Sequence, residues 1–111
     1  MQLGSAEHKA QYFSNVIKEY YEAWWNDEQY LEILNGDDSD KRKEIESIEQ
    51  LIEKKEFPSK NAGDKTLFVA KEELGHIEKE IKKIEEKIKT YWPKRIESVT
   101  AYAKTAGIVI E

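Results

Sequence analysis

Glu73, His76 and Glu80 come nearest, in residue type and spacing, to a chemical site in this chain. They stand at i, i+3 and i+7, so a helix would carry them on one flank. The Glu-x-x-His pair inside "EELGH" has the spacing with which carboxylate-bridged di-iron bundles present ligands. Such bundles need the pair twice, with carboxylates from two further helices, and this chain has it once. Asp27 would come near the level of Glu73 in the layout below, which makes a mixed site conceivable. Chance is the simpler source of the pattern in so glutamate-rich a chain, and we expect neither a metal nor a cofactor.

The other routes to chemistry are closed by composition. Without cysteine there is no disulfide, thiolate zinc site or cysteine nucleophile. "GDKT" at 63–66 lacks the upstream glycine and spacing of a phosphate-binding loop, and no serine stands in a nucleophile elbow. A non-enzymatic protein is expected.

Charge says more. Charged residues make up 37% of 111 residues, against roughly 25% in an average soluble protein, which suits long helices with one apolar stripe. The net charge of −5 is uneven. Residues 1–40 hold nine acids against Lys9 and Lys18, a net −7, and the other 71 residues carry +2. An acidic first segment repels polyanions and attracts a basic surface. The short basic groups Lys41–Lys43 and Lys94–Arg95 are expected to neutralise the nearby Asp37, Asp38 and Asp40, so direct nucleic-acid binding is not expected. The first ten residues lack the basic start and apolar run of a signal peptide, and no apolar run of about 18 residues occurs. A cytoplasmic location without membrane contact is the expectation.

The positioning elements are helices, and the spacing predicts an all-α, three- to four-helix bundle in a single domain. A first helix over 5–35, opened by Ser5, carries apolar residues at Ala6, Ala10, Phe13, Ile17, Tyr20, Trp24, Leu31 and Leu34, a coiled-coil-like seam interrupted at Asp27. "NGDDSD" at 35–40 reads as a stop, with Asn35-Gly36 as a left-handed cap and Asp40 opening a second helix over 41–57, which ends before Pro58. A loop over 58–65 precedes a third helix over 66–92, opened by Asp64 or Thr66, with a seam from Leu67 to Tyr91. After Pro93 the seam resumes at Ile96, Val99, Ala103 and Ala106, one residue out of phase with the seam before it and in phase with Trp92. A kink or short break at 92–94 and a fourth helix over 94–106 follow.

The first helix is too aromatic for one stripe. In "EYYEAWWND", residues 19–27, Tyr20 and Trp24 fall on the seam, while Trp25 lies about 120° off it, Tyr21 to one side and Ile33 on the opposite face. The aromatic arc spans about 220°, against roughly 100° for an ordinary surface helix. Tyr20 and Trp24 are expected inside. Tyr21, Glu22, Trp25, Glu28, Glu32 and Ile33 are the candidate partner-binding residues, because rings flanked by acids offer both anchors and steering.

The expected function is therefore a small acidic inhibitor or adaptor that binds a basic protein partner through its first helix. One alternative is a DNA mimic that occupies the basic groove of a nucleic-acid enzyme. The other is a bundle that binds a metal or small ligand at Glu73, His76 and Glu80. A first helix of about 46 Å beside a second of about 25 Å would leave the end of the third uncovered. Ile77, Ile81, Ile84, Ile88 and Trp92 then become a self-association surface, and a homodimer is expected over a fold-back at Pro93.

Overall fold

A computed structural model describes residues 6–108. They form two helical runs and one reversal: α1 (Ala6–Glu53), then α2 (Lys60–Glu86), a π-helical segment (Lys87–Tyr91) and α3 (Trp92–Thr105). The protein is all-helical, and no strand occurs among the described residues. The expected cap at Ser5 and the last residues of "GIVIE" lie outside them.

The expected stop at 35–40 is absent: α1 runs through "NGDDSD" without a break, so neither Asn35-Gly36 nor Asp40 caps a helix there. The physical reason is that the seam does not end. Leu31, Leu34, Asp38, Lys41, Ile45, Ile48 and Ile52 follow one another in steps of 3 and 4, so one face stays inward throughout. Two of those positions are charged, and each is paired. Arg42 Nε donates to Asp38 at 2.8 Å, and the Lys41 ammonium donates to Glu44 and to Glu73 at 2.6 Å.

The reversal comes after Glu53, earlier than the expected end at Phe57. Lys55 sits in the left-handed region, φ 58°. Its N–H donates to the Ile52 carbonyl and that of Glu56 to Leu51, the paired bonds of a Schellman cap. Ser59 then opens α2, its Oγ accepting from the Ala62 N–H at 3.1 Å, so the helix begins before Asp64 or Thr66. The expected loop at 58–65 shrinks accordingly.

The expected break at 92–94 is not one either. The chain widens by one residue just upstream: the Trp92 N–H donates to the carbonyl of Lys87, five residues back. One extra residue in a turn is what the one-residue phase shift of the seam requires. Pro93 falls in the first turn of α3, where a missing N–H costs little. The helical path then continues to Thr105 and ends at Gly107, φ 75°. There Gly107 and Ile108 donate to the carbonyls of Lys104 and Ala103, again a Schellman cap. Gly107→Ala should cost about 1 kcal/mol, the left-handed penalty of a Cβ, read as a lower urea midpoint with an unchanged slope.

Two compact units are described, each by itself. In the unit of residues 30–83, the end of α1 and the start of α2 run antiparallel from the turn. Ile45, Ile48 and Ala70 are its buried cluster, with Ile52, Phe57, Leu67 and Leu74 packed against them. In the unit built from residues up to Gln29 and from Ile84 onward, α1 again faces an antiparallel partner. Phe13 meets Tyr102 at 5.7 Å and Tyr20 meets Trp92 at 6.0 Å between ring centres. Ile84 and Ala103 are its buried apolar residues.

The isoleucine ladder is therefore covered within one chain. Ile84 is 4% exposed, and Ile77, Ile81, Ile88 and Trp92 are half-buried. The premise of a wholly wet ladder does not hold, because Ile84 is buried within its own unit.

Candidate functional site

Helix α1 sorts its aromatic residues by angle. Tyr20 and Trp24 are half-buried, whereas Tyr21 and Trp25 are exposed, Trp25 by 60%. Tyr21, Trp25 and Glu28 are spaced i, i+4 and i+7, which puts them within an arc of about 60°. Glu28 is exposed as well. This stripe is the strongest candidate site: two rings and a carboxylate on one solvent face.

The stripe is backed by ordered side chains. Tyr21 stacks on Trp24, centres 6.1 Å apart and planes 10° off parallel. On the buried side, the Trp92 indole N–H donates to Asp27 at 2.6 Å, and Arg95 donates to the Tyr20 hydroxyl at 2.9 Å with its guanidinium carbon 5.4 Å from the ring centre. These contacts fix the rotation of α1, and so fix which rings point outward. The Trp24 indole N–H is buried and has no hydrogen-bond partner.

The remaining candidates divide. Glu22 is exposed but about 100° round from Tyr21. Glu32 and Ile33 are exposed on α1 in the unit of residues 30–83. Asp27, where the seam is interrupted, accepts from the Trp92 indole N–H.

The metal-like pattern does not assemble. Glu73 is held by Lys41 at 2.6 Å, His76 is exposed and Glu80 half-buried. Asp27 belongs to the other unit and is engaged by Trp92. Among the described residues no three His, Asp or Glu side chains are grouped to hold a metal ion.

The basic group at 41–43 is internal to α1 rather than in a first turn. Lys41 is raised above the ordinary lysine value, first by its hydrogen bond to Glu44 and then by that to Glu73. Arg42 is raised chiefly by Asp38. A raised lysine stabilises the fold below its ordinary value and stops doing so only as pH climbs through the raised one. These pairs are therefore not a switch near neutrality. Arg42 also reaches Glu78 at 2.6 Å, so the two cations tie α1 to α2 instead of forming a free basic patch.

Sequence reasoning missed a pocket at the helix reversal, lined by Ile52, Lys55, Phe57, Ser59, Lys60 and Gly63. No helix among the described residues is long and apolar enough to cross a membrane. No protein family, curated protein or solved structure matches this chain.

Proposed function

We propose that the protein is a non-enzymatic interaction module, an acidic inhibitor or adaptor that docks a basic protein surface on the Tyr21–Trp25–Glu28 stripe of α1. The observation that carries this reading is Trp25, a large ring left 60% exposed beside the exposed Tyr21, while Tyr20 and Trp24 of the same helix are half-buried. Tryptophan and tyrosine are enriched at binding hot spots, and a carboxylate beside them selects and steers a cationic partner. The thin interior supports the same reading. No large side chain among the described residues is fully buried, so apolar burial remains to be gained on association. A second copy is a poorer occupant of this stripe, since a two-fold axis would set Glu28 and its acidic neighbours against themselves.

The test compares the wild-type chain with Trp25→Ala plus Glu28→Lys in capture from the native host, followed by titration of the captured partner. The double variant should bind at least a hundredfold more weakly while its thermal melt is unchanged, because both side chains are exposed. Undiminished binding would remove the proposal. Binding that ignores Trp25→Ala alone but collapses in high salt would favour the DNA-mimic reading, in which charge rather than a ring supplies affinity.

A further inference from the structure

The reversal between α1 and α2 holds a pocket of about 430 Å³, inside the usual range of roughly 300–1,000 Å³ for small-molecule sites. Its apolar lining is Ile52, Phe57 and the backbone of Gly63, and its polar lining is Lys55, Lys60 and Ser59. No acid lines it. Neither lysine takes part in an ion pair among the described residues, in contrast to Lys41 and Arg42.

The local backbone builds this shape. A Cβ at Gly63 would stand 2.9 Å from Ile52 Cγ1 and 3.0 Å from Phe57 Cδ2, so glycine lets α2 approach both apolar side chains. Lys55, in its left-handed conformation, reverses the chain and is itself part of the pocket lining. Lys60 begins α2, so the positive end of that helix dipole adds to the two ammonium charges.

We propose that this pocket binds a small amphipathic carboxylate, with its alkyl or aryl body against Ile52 and Phe57 and its carboxylate between Lys55 and Lys60. An apolar lining shared with two lysines outside any ion pair among the described residues is complementary to one charge on one apolar group. A neutral ligand would leave the lysines unused, and a polyanion would leave the apolar lining unused. A peptide terminus is a poorer occupant, because the described residues offer helix and turn only and no strand edge on which an extended peptide could pair. The site lies wholly in the unit of residues 30–83 and does not depend on the α1 stripe.

Octanoate is the probe and octan-1-ol its neutral counterpart, each titrated below self-assembly into the full ¹⁵N-labelled chain. Octanoate should give saturable amide shifts centred on Lys55, Phe57, Lys60 and Gly63, with octanol at least tenfold weaker. Lys55→Glu plus Lys60→Glu should weaken octanoate at least tenfold while leaving the thermal melt and the weak octanol binding as they were. Both lysines are exposed, so the variant keeps the fold. Absence of saturable shifts overturns the proposal, as does octanol matching octanoate or the double variant retaining full affinity. Binding of a short peptide with a free C-terminal leucine in place of octanoate overturns it too, by assigning the pocket to a macromolecule.

Discussion

Ile84→Glu should abolish stable folding of the unit that contains it, and should do so at every protein concentration. Ile84 is 4% exposed, so removing it forfeits roughly 1.5–3 kcal/mol of apolar burial. The new carboxylate must also be buried without a partner, at a cost of several kcal/mol more, or expelled with part of the helix. Stabilities of whole domains are only about 5–15 kcal/mol, and the apolar residues buried here are few. The control is Ile33→Glu, at a site 61% exposed, where the change should stay within about 0.5 kcal/mol. Urea unfolding followed by circular dichroism reads both. A ladder covered only by a second copy would instead give a stable, folded monomer after Ile84→Glu. That outcome, or equal melts for the two variants, would mean that the intramolecular cover is wrong.

Much of the fold is legible as spacing. The seams of both helical runs are visible as steps of 3 and 4, and Gly107 marks the last cap. The interior of "NGDDSD" is not legible as seam from apolar spacing, because Asp38 and Lys41 occupy two of the seam positions. Their side chains are 19% and 18% exposed and are held in ion pairs. A pattern that admits a paired charge at a seam position keeps the phase from Leu31 to Ile52. Local propensity pointed the other way, since Asn, Gly and Asp favour caps and turns. The tertiary seam on either side, from Leu34 to Ile45, overrides that preference.

The phase slip before Trp92 is legible in the sequence, and the proline beside it suggests a break that the structure does not have. Physically the slip is one residue, and a π turn absorbs one residue without breaking the hydrogen-bonded path. Proline needs only a position without an N–H partner, which the first turn of α3 supplies. Of the candidate site, the outward placement of Tyr21 and Trp25 follows from angle alone. The pocket at the reversal does not. It depends on a lysine in the left-handed region and on the approach of Gly63 to Phe57, and neither leaves a periodic trace in the sequence.

The continuity of α1 makes a second prediction, in which the sign of an effect decides. At Gly36 a Cβ would meet nothing within 4 Å, and the residue lies inside α1. Gly36→Ala should therefore stabilise the protein by about 1 kcal/mol, the difference in helix propensity. A left-handed cap at the same residue would reverse the sign, since alanine there costs roughly 1–2 kcal/mol. Asp37→Pro supplies the magnitude. Asp37 is exposed within the same helix, where proline removes a backbone hydrogen bond and collides with the preceding turn, a loss of about 3 kcal/mol or more. One residue past a cap, proline is common and would be tolerated. Denaturant unfolding of the two variants thus separates the alternatives without structural work. A continuous helix gives a higher midpoint for Gly36→Ala and a collapse for Asp37→Pro. A lower midpoint for the first with little change in the second would restore the break at 35–40. It would then separate Leu34 from Ile45 and remove the paired charges from the seam.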